Sequence, residues 1–172
     1  GCLHVRPILN MKSNNDVIKM RAIAEEAFEL VKKFDGSHSG EHGDGISRSE
    51  FNPIMFGEKL TNAFRELKSL MDPYGIFNPG KIVDAPKMDD RHLFRFSPGY
   101  TVSDFKTELD WSTWSGSSNG FQGAVEMCNN NGACRKLKGG VMCPSFRITG
   151  EEKDSTRGRA NSLRLAMSGQ LG

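Results

Sequence analysis

No apolar run in this sequence approaches the roughly 20 residues that a membrane-spanning helix needs, and no charged, apolar, small-residue leader opens it. A dominant charge is also lacking. The 23 Lys and Arg stand against 21 Asp and Glu, and a net charge of +2 excludes the global field that would nominate a nucleic acid as partner. There is no internal repeat, and neither a G-K-[ST] ending nor a strand-G-x-G-x-x-G-helix context turns the glycines into a phosphate loop. Histidine is scarce, at 4 residues, with none in the last third of the chain. These absences read as a soluble, cytoplasmic protein with a specialised site.

What is present fits one ordinary domain or two small ones, since 172 residues with 37% hydrophobic content can build a core in at least part of the chain. The charge is uneven. Residues 118–172 hold Arg135, Lys136, Lys138, Arg147, Lys153, Arg157, Arg159 and Arg164 against four acids, an end suited to an acidic partner or an anionic cofactor. The first nine residues, "GCLHVRPIL", have the β-branched and apolar content of a strand that starts at residue 1, which predicts an excised fragment.

Helical spacing follows in "NNDVIKMRAIAEEAFELVKKFDG", with Met20, Ile23, Ala24, Ala27, Val31 and Phe34 on the apolar side, Asn15 or Asp16 as cap and Gly36 as stop. A second helix is predicted in "FGEKLTNAFRELKSLMDPYG", through Leu60, Ala63, Phe64, Leu67 and Met71, ended by Asp72-Pro73. Periodicity then fails from Asp84 to about Asn119, where Pro86, Pro98 and Gly99 interrupt the chain, so this stretch reads as a linker on a surface. Its aromatics, Phe94, Phe96, Tyr100, Trp111 and Trp114, are too many for a free tether and need cover. A third region from about Phe121 ends in a basic helix capped by Ser155 or Thr156, with Leu163, Ala166 and Met167 as its apolar side.

Cys2 stands alone and reads as core packing. The other three cysteines, Cys128, Cys134 and Cys143, form C-x5-C-x8-C-P within a stretch rich in Asn and Gly. A Cys-Pro ending is shared by iron-sulfur runs of the C-x2-C-x2-C-x3-C-P type, although Asn131 holds the second ligand position and the last spacing is five residues longer. One run is an incomplete ligand set for a 4Fe-4S cluster, so a second run is expected elsewhere. Structural zinc competes less well, because it favours paired C-x2-4-C spacing and this region holds no His.

The loop "SHSGEHGDGISRSEF", residues 37–51, has two readings. Its polar residues are solvated and its glycines merely turn the chain; or Glu41 holds a metal while the adjacent His42, pointing the other way on an extended backbone, removes a proton near neutral pH. His4 is a further metal ligand if the first segment neighbours the loop.

Three stretches, "CLH" at 2–4, "EHGDG" at 41–45 and "MDPYGIFNPGKI" at 71–82, resemble the C-terminal substrate domain of FAD-linked 2-hydroxy-acid dehydrogenases and oxidases, the glycolate oxidase, D-lactate dehydrogenase and D-2-hydroxyglutarate dehydrogenase group. The third region, through "CPSF" and "STRGRANSLRLAMSG", is similar to the ferredoxin-like 4Fe-4S segment fused to some of them. The resemblance implies His4 and Glu41 as ligands of a divalent metal, zinc among the candidates, His42 as catalytic base, Arg6 gripping the substrate carboxylate and Asn78 approaching the FAD. Cys2 replaces the family's usual Asn, and Asp44 replaces an apolar residue found in many members, which leaves the metal and the substrate preference open.

The fold class expected is α+β: a cap or substrate domain over 1–83 with a small antiparallel sheet and helices on one face, a linker over 84–119, and a partial, mainly helical iron-sulfur segment over 120–172. The implied parent oxidises a D-2-hydroxy acid to the 2-oxo acid and passes electrons from FAD to iron-sulfur clusters. Its FAD-binding domain is expected upstream of residue 1, the fragment alone is expected to be inactive, and the parent is cytoplasmic or peripheral to the inner membrane. The alternative is a non-enzymatic iron-sulfur electron-transfer or docking module.

Overall fold

The computed structural model describes residues 4–102, 105–114, 120–140 and 142–171. The chain divides into two compact units, Gly1–Arg95 and Phe96–Gly172. The stretch expected as linker is shared between them: its residues up to Arg95 fold with the first unit and those from Phe96 with the second.

The first unit is built on two long helices. α1 (Asn14–Lys33) begins one residue after Ser13, and Asp16 serves the segment before it by accepting from the Asn10 N–H at 2.8 Å. At the other end the chain leaves the helix through Asp35 at φ +52°, and the Gly36 N–H donates to the Val31 carbonyl at 2.8 Å. α1 carries two apolar stripes, and the buried one runs through Val17, Ala24, Phe28 and Val31. Phe28 decides this, because its ring stacks on Phe51 at 5.1 Å and meets the edge of His38 at 5.5 Å. Ile23, Ala27 and Phe34, expected inside, are exposed.

A short helix α2 (Gly45–Arg48) and a 3-10 turn (Ser49–Phe51) lead into α3 (Asn52–Met71). Gly57 interrupts α3 at φ +78°, a conformation that costs glycine little. Pro73 follows the C-cap Asp72, whose carboxylate accepts from the Ile76 and Phe77 N–H groups, both at 2.9 Å, and so turns the chain back. Lys68 completes the arrangement and, with those two N–H groups, holds the Asp72 carboxyl below the usual carboxylate range.

Residues 84–95 return to α1. Asp89 accepts from Arg21 at 2.7 Å, and Arg21 also bonds Glu25 at 2.8 Å and Glu50 at 3.1 Å. Arg91 reaches the Asn14 side chain and the Lys12 carbonyl at the head of α1.

The expected sheet is not formed: the described residues contain helices, turns and irregular segments, and no strand. A strand needs a hydrogen-bonding partner and a face to bury. Residues 4–10 have neither, and Val5 and Ile8 lie 79% and 100% exposed. The expectation that Cys2 packs in a core lies outside the described residues.

In the second unit, α4 (Gly120–Glu126) packs on α6 (Thr156–Met167), with α5 (Pro144–Thr149) and 3-10 turns at Ala133–Arg135 and Glu152–Asp154 beside them. Ser155 caps α6 by accepting from the Gly158 N–H at 2.9 Å. The inward face of α6 is not the predicted one, for Leu163 and Ala166 are exposed while Gly158, Arg164 and Ser168 are buried. Opposite lies buried Gln122, which donates to the Tyr100 hydroxyl at 2.9 Å and the Thr101 carbonyl at 3.0 Å. Two pairs of the aromatics meet, Trp111 edge-on to Phe121 at 5.3 Å and Phe96 edge-on to Tyr100 at 5.1 Å, whereas Trp114, expected to be covered, is exposed.

Candidate functional site

Glu41 is the centre of the chemistry in the first unit. Its Oε1 lies 2.9 Å from His4 Nε2 and 2.8 Å from His42 Nε2, and the two imidazoles meet edge to face at 5.7 Å. His4 comes from the extended segment and the other two from the polar loop, so residues 37 positions apart converge. Their ligand atoms all lie within 4.8 Å of one another, and no other such group of three occurs among the described residues. Two imidazole nitrogens and a carboxylate suit a divalent ion such as zinc. The loop is not extended here. It bends so that the heads of Glu41 and His42 converge, where an extended backbone would part them.

Beyond His42 the loop is held from below. Gly43 adopts φ +75°, and its carbonyl accepts from Arg48 Nη1 at 3.0 Å. His38 is buried against Phe28, with Nε2 3.3 Å from the Arg48 carbonyl and 3.6 Å from Asp44. Ser49 and Asn52, both buried, bond to Ile82 in the turn after Asn78. Sequence reasoning missed these two, since a Ser and an Asn at the head of a helix ordinarily read as caps.

An open groove of about 770 Å³ is lined by Gly43, Asp44 and Gly45 of the loop together with Asn78, Lys81, Ile82 and Val83. Phe64, Leu67 and Met71 of α3 also line it, so the apolar positions expected in a core instead wall a groove. Asn78 sits at φ +46° and accepts from Lys81 Nζ at 3.3 Å. Arg6, two residues beyond His4, is exposed.

The sequence profile of the FAD linked oxidases, C-terminal domain, matches residues 1–82. That segment is similar to the C-terminal domain of the FAD-linked oxidases. The chain's relatives include a D-2-hydroxyglutarate dehydrogenase of Escherichia coli, 36% identical over 95% of this chain and 15% of the relative. One of Pseudomonas putida is 37% identical over 95% of this chain and 16% of the relative. A glycolate oxidase subunit of Bacillus subtilis is 27% identical over 48% of this chain and 17% of the relative. The chain thus spans about 15% of the length of the D-2-hydroxyglutarate dehydrogenases it matches end to end. No solved structure matches it.

The second unit holds Cys128, Cys134 and Cys143. Cys134 and Cys143 are buried with Phe146 in one cluster, while Cys128 is half-buried with its Sγ 3.7 Å from Asn130. The Cys143 thiol is held below its usual value, first by the Thr156 hydroxyl at 2.7 Å, which outweighs burial, then by the Thr156 N–H, the Arg159 charge and Cys134. Arg157, paired with Glu152 at 2.7 and 2.9 Å, brings its charge to Cys128 and Cys134. Cys134 and Cys143 are in contact, and Arg157 lies near both Cys128 and Cys134. No helix among the described residues is long and apolar enough to cross a membrane.

Proposed function

We propose that this chain is the metal- and substrate-handling part of an enzyme that oxidises a D-2-hydroxy acid to the 2-oxo acid, with His42 as base, His4 and Glu41 as metal ligands, Arg6 as carboxylate contact and Asn78 beside the flavin. The observation that carries the reading is the convergence of His4 on Glu41-His42 at 2.9 and 2.8 Å. The 2-hydroxyglutarate class is favoured over lactate or glycolate because four relatives named for it match at 33–37% identity over 95% of the chain, and a fifth at 34% over 39%, against 25–27% identity over 48–49% for a glycolate oxidase subunit and a probable D-lactate dehydrogenase.

In this reading His42 Nε2 takes the substrate hydroxyl proton as the Cα–H bond breaks. FAD, held mainly by sequence beyond these residues, supplies the acceptor for the hydride. The metal supplies Lewis acidity at the hydroxyl. The Arg6 guanidinium pairs with the carboxylate, which fixes the Cα–H direction; such orientation supplies much of a rate enhancement. Residues 1–172 alone do not turn over substrate. In the full-length enzyme, His42→Ala lowers kcat by roughly 10²–10⁴-fold, the range of a general base; unchanged turnover with D-2-hydroxyglutarate removes His42 from that role.

A second reading, of the second unit as an iron-sulfur electron-transfer or docking module, is supported by the contact of Cys134 with Cys143 and by the Arg157 charge beside Cys128 and Cys134. Anaerobic reconstitution with iron and sulfide then gives visible charge-transfer absorbance that Cys128→Ser and Cys134→Ser abolish. Equal iron uptake by both variants sinks it.

A further inference from the structure

Ser49 and Asn52 are buried polar side chains, 3% and 1% exposed, and they join the two motifs that line the groove. The Ser49 hydroxyl donates to the Gly45 carbonyl, at the end of the Glu41–Gly45 loop, and accepts from the Ile82 N–H at 3.0 Å. Asn52 Nδ2 donates to the Ile82 carbonyl at 3.2 Å. Both peptide groups of Ile82 are thereby held by the segment that follows the loop. Arg48, on the Gly43 carbonyl at 3.0 Å, adds a second hold on the same loop.

Neither position is one that stability alone would choose. Ile82 sits at φ +67°, a left-handed conformation costly for a β-branched side chain, and such residues persist only where their surroundings over-determine them. The two bonds to Ile82 do that. Asn52 Oδ1 is buried without a partner, a cost that an apolar side chain would avoid. A strained turn fastened by an incompletely satisfied amide is the pattern of a pre-organised site.

We propose that Ser49 and Asn52 are positioning residues, a clip that couples metal occupancy of His4 and Glu41 to the Asn78–Ile82 turn and so sets the spacing between the Glu41–Gly45 loop and that turn. This rests on the reading of His4 and Glu41 as metal ligands. An ion held between His4 and Glu41, whose side chains now meet at 2.9 Å, shifts Glu41 and with it the loop that ends in the Gly45 carbonyl. That carbonyl is bonded to the hydroxyl that holds Ile82, so the displacement is felt at the turn, and the coupling is reciprocal.

The test is amide exchange of the full 172-residue chain with and without Zn²⁺. Saturating Zn²⁺ slows exchange of the Ile82 N–H by roughly 5-fold or more, the lower end of ordinary coupling between sites. Ser49→Ala still binds Zn²⁺ but loses the Zn²⁺-dependent slowing, and Ser49→Thr, which keeps a hydroxyl, restores it. A merely structural Ser49 would raise exchange by the same factor in both states, and equal slowing in Ser49→Ala and the parent overturns the clip. Should Ser49→Ala not fold, Asn52→Ala, which frees only the Ile82 carbonyl, is measured in the same way. If His4→Ala and Glu41→Ala abolish Zn²⁺ binding yet Zn²⁺ leaves Ile82 exchange unchanged, the clip fails and the metal site stands. If Zn²⁺ binds the parent no better than it binds those two variants, the metal reading fails and takes the clip with it.

Discussion

The two units of this chain place their chemistry in opposite settings. In Gly1–Arg95 the reactive side chains, His4, Glu41 and His42, are exposed, and the buried polar groups lie beneath them. In Phe96–Gly172 two of the reactive groups, Cys134 and Cys143, are themselves buried, and much of the interior around them is polar: Gln122, Ser155, Arg164 and Ser168. The relatives divide along similar lines. Four D-2-hydroxyglutarate dehydrogenases match across 95% of the chain, whereas a fifth matches across 39% and a glycolate oxidase subunit across 48%.

That contrast can be broken by attacking each interior. The largest expected effect is in the first unit, where Phe28→Ala removes the ring stacked on Phe51 and touching His38. A loss of about 3–5 kcal/mol follows for a buried aromatic, read from amide exchange along α1, and a loss under ~1 kcal/mol would mean that Phe28 is not the core of the unit. Next comes Gly158→Ala in the second unit, since a Cβ there would stand 2.0 Å from the Glu152 carbonyl oxygen. Overpacking of this kind costs about 1–3 kcal/mol. Both tryptophans, Trp111 and Trp114, belong to this unit, so the urea midpoint of their fluorescence reports it, and an unmoved midpoint would show that α6 can slide away from Glu152.

Ser155→Ala, read the same way, lowers stability by about 1 kcal/mol through loss of the α6 cap. The smallest effect is in the acid range. The Asp72 carboxyl titrates below its unfolded value, so its contribution is fully present above the unfolded pKa of about 4 and is lost as pH falls through the depressed folded value. Asp72→Asn therefore flattens the acid limb of the first unit's stability curve, and an identical acid limb in both proteins would show the Lys68 pairing to be idle.

Much of the helical framework is legible in the sequence, for local reasons. The 3.6-residue period marks α1 and α3, Asp72-Pro73 marks the end of one, and Ser155 marks the start of α6. Which apolar stripe turns inward is not local. It depends on Phe51 and His38, from 23 and 10 positions beyond Phe28, and on a groove that leaves Leu67 and Met71 in the open. The polar face of α6 was illegible because Arg164 bonds Gln170, the Ser168 hydroxyl bonds the Arg164 carbonyl and the Thr101 N–H bonds the Ser168 carbonyl, hydrogen bonds that periodicity does not record. The sheet expected from β-branched residues near the start was a reading of propensity, and a strand also requires a partner.

At the site the Glu-His pair was visible as chemistry, but its meeting with His4 came only from family resemblance, and the residues that fasten the loop from beneath carried no signal. Sequence shows which groups can react more readily than it shows which ones hold them still.

Arg91 and Asp89 have one more implication. By returning to Asn14, Lys12 and Arg21 they bring the end of the helical part of the first unit back to its beginning. A stretch of chain closed on itself in this way is spliced at a single place, like a bead with both holes on one side. Such a bead can be carried within a longer polypeptide, or reopened at the exposed turn around Tyr74 and rejoined at its old ends, with its internal bonds intact.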